Sequence, residues 1–246
     1  MKRALLVDID DTVVDWIGPA RDAVIASVAT HQSLAGSDPR RVADRFLEIV
    51  EETHELWMAG ELSVDGLRAE HIRRLVAESG ADLEPDEAEE LAAAYRVAYL
   101  AARRPVAGAR DLLSEVRRRG VRVVAVTNNL VSEQEDKLRH VGLRDLFDEL
   151  VISEAEGVNK PDPRIFEVAL QAAGVMADEA VMLGDSWPND VLGAVGAGIA
   201  AAWLDRAGRG VPDPAIPVLA LSSLEPAAEV ASAVLADRGA LVSSSP

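Results

Sequence analysis

The stretch Leu5-Leu6-Val7-Asp8-Ile9-Asp10-Asp11-Thr12 limits what this chain can fold into more than any other. A short apolar run reads as a buried strand, and it breaks off into three acidic residues and a threonine. Buried parallel strands are near-continuous runs of Val, Ile and Leu, and ligands of open α/β sheets bind at the carboxyl ends of the strands. Carboxylates crowded at such an end repel one another unless they share a cation or a proton. The stretch therefore suggests a metal-dependent site whose other half must come from later in the chain.

At 246 residues the chain is long enough for one large domain or a core with a smaller companion. The hydrophobic share of 49% and charged share of 27% are those of an ordinary globular protein, and with aromatics at only 4% the core is expected to be aliphatic. The 42 Asp and Glu against 25 Lys and Arg leave a net charge of −17. That charge repels nucleic-acid phosphates and anionic membranes, so neither is an expected partner. It leaves room for a small phosphorylated substrate, whose binding is decided by local charge and a bound cation. The absence of cysteine removes disulfides, thiolate chemistry and Cys-ligated zinc. Lys2-Arg3 is followed by only four apolar residues before Asp8, too few for a signal peptide, and no run of 18 apolar residues occurs. A cytoplasmic protein is the expectation.

Residues 3–8 read as the first strand. From about 13 to 104 the texture changes to Ala, Glu and Arg, with apolar intervals of three and four at Val42, Phe46, Ile49 and Val50, and at Leu67, Ile72, Leu75 and Val76. Start and stop signals fit helices: Ser37-Asp38-Pro39, Ser63, Gly80 and Pro85-Asp86-Glu87. The block predicts about four helices forming a small domain over 15–104, inserted into a core domain of 1–14 and 105–246. After Pro105 strand and helix alternate. Strands are expected at 121–126, 150–152, 180–183, 199–204 and 218–221. Helices are expected at 108–119, 132–141, 163–173, 189–195 and 226–235, before a frayed tail at Ser243–Pro246. The pattern is α/β, a doubly wound, mostly parallel sheet.

In that arrangement one sheet edge collects Asp8 and Asp10 after the first strand, Thr127 and Asn128 after the second, Lys160 in the loop after the third, and Asp185 with Asp190 after the fourth. Taken singly, each has a structural reading: a solvated acidic turn, Thr-Asn-Asn turn chemistry, a surface lysine, a helix cap at Gly184-Asp185-Ser186. Taken together they suit phosphoryl transfer through an aspartyl phosphate. One carboxylate attacks phosphorus. A second, two residues on, moves protons if its environment raises its pKa. Mg²⁺ takes oxygen ligands from carboxylates, and a hydroxyl, an amide and an ammonium bind the equatorial oxygens.

The sequence resembles the haloacid dehalogenase superfamily in the phosphatase branch. Asp8-Ile9-Asp10-Asp11-Thr12 is similar to its first motif, DxDx[T/V], and Thr127 to the second. Lys160-Pro161-Asp162-Pro163 with Phe166 is similar to the third, and Gly184-Asp185-Ser186-Trp187-Pro188-Asn189-Asp190 to the fourth, GDxxxxD. Order and spacing agree over residues 1 to about 205. The resemblance implies a Rossmann-like core, Asp8 as nucleophile and Asp10 as general acid/base. It implies that Thr127 and Lys160 hold the phosphoryl group, with Asn128 helping through its main-chain N–H. Mg²⁺ would be held by Asp8, Asp185 and the Asp10 carbonyl, with Asp190 a further ligand or a partner of the ligands. Asp11 stands where Gly is common and is read as a turn residue.

The insertion resembles the family's helical cap of the first type, and the 32 residues between Thr127 and Lys160 leave no room for one in the other usual place. Trp16, Trp57, His54 and Arg73-Arg74 are candidate substrate contacts in it, each with a core or surface role as the alternative. The expected activity is Mg²⁺-dependent hydrolysis of a small phosphorylated metabolite. A phosphomutase resembling β-phosphoglucomutase carries the same motifs. A hydrolytic 2-haloacid dehalogenase fits less well, since those relatives lack the aspartate at the place of Asp10. Gly193 to Gly198 is glycine-rich but ends a helix and precedes a strand, the reverse of a dinucleotide fingerprint. His31, His54, His71 and His140 show no metal-ligand spacing. Substrate identity and oligomeric state are not legible.

Overall fold

The computed structural model of the protein describes residues 1–53 and 64–236. The chain divides into two compact units, Met1–Asp15 with Pro105–Pro246, and Trp16–Arg104.

The first unit is built on a six-stranded, all-parallel sheet. Its strands are β1 (Ala4–Val7), β2 (Arg122–Thr127), β3 (Glu149–Ile152), β4 (Ala180–Gly184), β5 (Ala200–Leu204) and β6 (Val218–Leu221). They lie in the order β3-β2-β1-β4-β5-β6. The order reverses direction at β1, so the crevice at the carboxyl ends of β1 and β4 is the topological switch point where ligands of such sheets bind.

β1 is buried on both faces, and its side chains alternate between two cores. Leu5 and Val7 pack with Leu112, Leu113 and Val116 of α5 (Ala109–Arg118) and with Val230 and Val234 of α8 (Ala227–Val234). Ala4 and Leu6 pack on the opposite face with Ile165, Phe166 and Ala169 of α7 (Pro163–Ala173). Both faces of the apolar run therefore go inside, and polar residues can begin only where the strand ends.

The second unit carries α1 (Ile17–Ala26), α2 (Pro39–Glu52), α3 (Val64–Ala77) and α4 (Pro85–Ala102). α2 starts as its sequence signals: Asp38 accepts the Arg40 N–H at 3.0 Å, and Pro39 occupies the first turn, where no backbone donor is needed. Its apolar stripe is buried, with Val42, Phe46 and Ile49 meeting Ile72, Leu75 and Val76. The unit is less aliphatic than composition suggests. Phe46 lies 5.0 Å from Tyr95, Tyr95 stacks on Tyr99 at 6.0 Å, and the chain's two tyrosines both lie in this core. His71 is buried here, its Nε2 2.6 Å from Thr53 Oγ1. Trp16 is half-buried against the same core, and Arg73 and Arg74 both donate to Glu70. His54, Trp57, Ser63 and the tail at Ser243–Pro246 fall outside the described residues.

The structure departs from the expected helices after β4. In place of one helix over 189–195 there is a wide turn at Trp187–Leu192 followed by a single turn at Gly193–Gly196. The width comes from the Ser186 carbonyl, which accepts from both Asp190 N (2.9 Å) and Val191 N (3.3 Å), a π-type spacing. A short helix at Ser153–Glu156, directly after β3, also goes beyond the sequence expectation.

Candidate active site

The strand-end residues come together on the carboxyl edge of the sheet, all within the first unit. Asp8 follows β1 directly, and its N–H donates to Leu183 O of β4 at 2.9 Å, tying the two strands at their carboxyl ends. Thr12, fully buried, places its hydroxyl 3.3 Å from Asp8 Oδ2 and 3.4 Å from Asp185 Oδ1. Between them the chain makes a tight reversal, with Asp11 N donating to Val14 O at 2.7 Å and Asp11 at φ +57°. Short polar residues tolerate that left-handed conformation better than bulkier ones. This accounts for Asp where the resemblance leads one to expect Gly. Asp11 is more than a turn residue, because its carboxylate accepts from Arg206 Nη2 at 3.0 Å.

Lys160 is buried, and its Nζ stands 2.6 Å from both Asp8 Oδ1 and Asp190 Oδ1. Its backbone is fixed by Asn128, whose Oδ1 accepts Lys160 N at 2.7 Å and whose Nδ2 donates to Lys160 O at 2.9 Å. The Asn128 side chain is thus spent on holding the lysine loop. Asp190 has no exposed surface, and its Oδ2 accepts Ser186 N at 2.9 Å. Gly184 makes this approach possible: a Cβ there would overlap the Asp190 carboxylate. Gly193 does the same for the lysine loop, since a Cβ would press on the Phe166 ring at 2.7 Å and on Pro161. The Asp185 carbonyl accepts Trp203 Nε1 at 2.9 Å, which fixes the backbone after β4.

Asp8, Asp185 and Asp190 each present a carboxylate oxygen within 4.8 Å of the others, the one such acidic group found among the described residues. Burial, reinforced by Asp190 and Asp10, pushes Asp8 up to about 7 against the pull of Lys160. Burial together with Asp8, Asp190 and Asp11 pushes Asp185 up to about 8. Burial works against the Lys160 charge, but Asp190 and Asp8 outweigh it and hold the ammonium above the ordinary lysine range. One lysine does not balance the trio. The donor set is all oxygen, anionic and buried, which suits a hard divalent cation.

The Asp10 carboxylate takes no part in that trio. Its Oδ1 accepts Lys137 Nζ at 2.6 Å, and its Oδ2 accepts Gln134 Nε2 at 2.8 Å and Asn129 Nδ2 at 3.1 Å. Such a carboxylate moves protons most readily if its environment raises its pKa, and this environment does the opposite. Burial raises it, but Lys137, Gln134 and Asn129 together hold it below the usual carboxylate value. The same Gln134 Nε2 donates to Thr127 Oγ1 at 2.8 Å. Gln134 and Lys137 lie on α6 (Val131–His140) and escaped the sequence reading. A signal was present. With Leu138 and Val141 they occupy the inward stripe of a helix that has few apolar residues, so its buried positions had to be polar.

A family profile described as haloacid dehalogenase-like hydrolase matches residues 2–198. A phosphoserine phosphatase of Thermus thermophilus is 33% identical over 83% of this chain and 89% of its own. A glyceraldehyde 3-phosphate phosphatase of Methanopyrus kandleri is 31% identical over 84% and 85%. Among solved structures, the HAD-hydrolase YfnB of Bacillus subtilis, bound to magnesium, superposes with a TM-score of 0.75 at 22% identity, over 94% of this chain and 99% of its own. Solved L-2-haloacid dehalogenases share the fold as well, at 16% and 18% identity. Among the described residues no helix is long and apolar enough to cross a membrane.

Proposed function

We propose, for a chain that belongs to the haloacid dehalogenase-like hydrolases and is a phosphoric monoester hydrolase, that it hydrolyses a small phosphorylated metabolite with Mg²⁺ through a phosphoryl group carried on Asp8. The observation that carries this reading is Lys160 Nζ at 2.6 Å from both Asp8 and Asp190. A buried ammonium there joins the attacking carboxylate to the metal-holding one, at the place where the charge of a transferring phosphoryl group would fall.

Asp8, Asp185, Asp190 and the Asp10 carbonyl are assigned to hold Mg²⁺. When bound, the ion neutralises carboxylate and phosphoryl charge that Lys160 alone leaves unbalanced. Thr127 Oγ1 and Lys160 Nζ bind the phosphoryl oxygens, and Asn128 N–H adds a donor while its side chain keeps Lys160 in place. In the first step an Asp8 oxygen bonds to phosphorus, the bond to the leaving oxygen breaks, and that oxygen takes a proton from Asp10. In the second step a water oxygen attacks phosphorus, its proton passes to Asp10, and the Asp8–phosphorus bond breaks to restore the carboxylate. Ester and water become alcohol and phosphate.

The surroundings of Asp10 suit the second step directly, because an ionised carboxylate is the form that accepts a proton. A phosphate dianion held at Thr127 adds negative charge beside Asp10 and raises its proton affinity, the direction the first step needs. The helical unit is assigned as the cap that selects substrate.

The test is phosphate release from a panel of phosphorylated metabolites with Mg²⁺, repeated with EDTA, alongside chloride release from 2-chloropropionate. Mg²⁺-dependent phosphate release from at least one ester, abolished by EDTA, is the expected result. Chloride release without phosphate release would overturn the reading.

A further inference from the structure

We infer that Gln134 and Lys137 of α6 are positioning residues that hold the Asp10 carboxylate in register with the Thr127 hydroxyl, and so aim proton transfer at the bound phosphoryl group. Lys137 is buried and fixes one carboxylate oxygen from 2.6 Å. Gln134 has no exposed surface, and its single amide nitrogen is shared between the other carboxylate oxygen and Thr127 Oγ1, at 2.8 Å each. One side chain thus spans from the group that moves the proton to a group that holds the phosphate. The amide is committed to that task, for Gln134 Oε1 is buried with no protein hydrogen-bond partner. Turning the amide over would set an acceptor against the Asp10 carboxylate, so the unpaired oxygen is the cost of aiming the N–H₂ at the site. Asn129, in the loop after β2, also donates its Nδ2 to Asp10 Oδ2, 3.1 Å away.

Helix periodicity gives the pair its reach. Positions 134 and 137 are three apart and share a face, and α6 begins directly after the Thr127-Asn128-Asn129 turn. The phosphate-binding hydroxyl and the carboxylate clamp are therefore parts of one strand–turn–helix segment. Asp10 sits on a different segment, in the loop after β1, and is brought to the first by these bonds.

The inference rests on the reading of Asp8 and Asp10 given above. Its test separates the two by comparing an alkyl ester, glycerol phosphate, with 2,4-dinitrophenyl phosphate, whose leaving group needs no proton. The variants are Lys137→Met and Gln134→Met, which remove the donors at nearly constant volume. A misaimed Asp10 should lower kcat for the alkyl ester by about 100-fold, with little change in KM. With the dinitrophenyl ester the first step should survive and the second should fail. A prompt burst of about one equivalent of dinitrophenolate and a protein carrying one phosphoryl group, seen by mass spectrometry after acid quench, are then expected. Crystal structures of the two variants give a readout independent of turnover, with the Asp10 carboxylate expected to swing away from Thr127. Equal losses on both esters without a burst, unchanged kcat, an unmoved Asp10, or loss of folding in both variants would each make the pair structural only and overturn the inference. Wild-type protein that releases phosphate from neither ester nor from any member of the metabolite panel would instead count against the hydrolase reading, and the crystal structures would still decide the clamp.

Discussion

The Lys160 ammonium lies 2.6 Å from Asp8 Oδ1, with neither side chain more than 9% exposed. A buried ion pair gives little net stability, but removing one partner leaves a bare charge, at a cost of about 3–5 kcal/mol. Lys160 is shared with Asp190, so Lys160→Met strands two carboxylates at once. Because Asp8, raised to about 7, can take up a proton to escape the penalty, the loss should be small near pH 6 and grow toward pH 8.5. Thermal melts across that range, with and without Mg²⁺, measure it. Mg²⁺ is expected to restore much of the melting temperature and none of the phosphate release.

The raised pKa values of Asp8, about 7, and Asp185, about 8, set a pH dependence for the metal-free protein. In the unfolded chain both groups titrate near 4, so between about pH 4 and 8 the folded state holds more protons than the unfolded one. Stability from this source is present at low pH and is lost as pH rises through 7 to 8. A cation competing for the same oxygens should bind more tightly over that interval. Mg²⁺ titrations by calorimetry at pH 6, 7 and 8.5 should show affinity rising with pH and proton release on binding. Affinity independent of pH would contradict the assignment of these carboxylates as ligands.

Gly184 ends β4 under the Asp190 carboxylate, and a methyl group there has no space. Gly184→Ala should destabilise the protein by about 1–3 kcal/mol through overpacking. The same substitution should weaken Mg²⁺ binding by displacing Asp190, whereas Gly196→Ala, with open space around it, should do neither. Chemical denaturation of both variants, paired with metal titration, tests this.

In the helical unit, burial and the neighbouring Arg74 hold His71 down to about 4. Its unfolded value near 6.5 lies higher, so the folded state binds fewer protons and the contribution of neutral His71 is lost as pH falls from 6.5 toward 4. The full effect is on the order of 3 kcal/mol. His71→Gln should flatten the acid limb of the stability profile relative to wild type, measured by denaturation with Mg²⁺ held constant.

How much of this was legible in the sequence follows from which physical signals are local. Alternating apolar strands and three-and-four spaced helices are local, so the parallel sheet and the helices carrying Val42, Phe46, Ile72 and Leu75 could be read directly. Asp8, Thr127, Lys160 and Asp185 were legible because motif order survives as spacing along the chain. What the sequence hid is pairing between distant segments. The Asn128 brace on Lys160, the Arg206 bond to Asp11 and the α6 clamp on Asp10 join residues 32, 195 and up to 127 positions apart. The surroundings of Asp10 were hidden for the same reason: no rule of composition places Lys137 beside it. The wide turn at Trp187–Leu192 also went unread, because its shape depends on Asp190 folding back on Ser186.

A phosphoryl group carried on Asp8 is what the proposed hydrolysis turns on. The most direct measurement is acid-quench peptide mapping of protein turning over a phosphate ester with Mg²⁺, run for wild type and Asp8→Asn. One phosphoryl group is expected on the peptide containing Asp8 in wild type, and neither phosphopeptide nor phosphate release in a folded Asp8→Asn. Phosphate release by Asp8→Asn at the wild-type rate, or a phosphoryl group on any other residue, would contradict it.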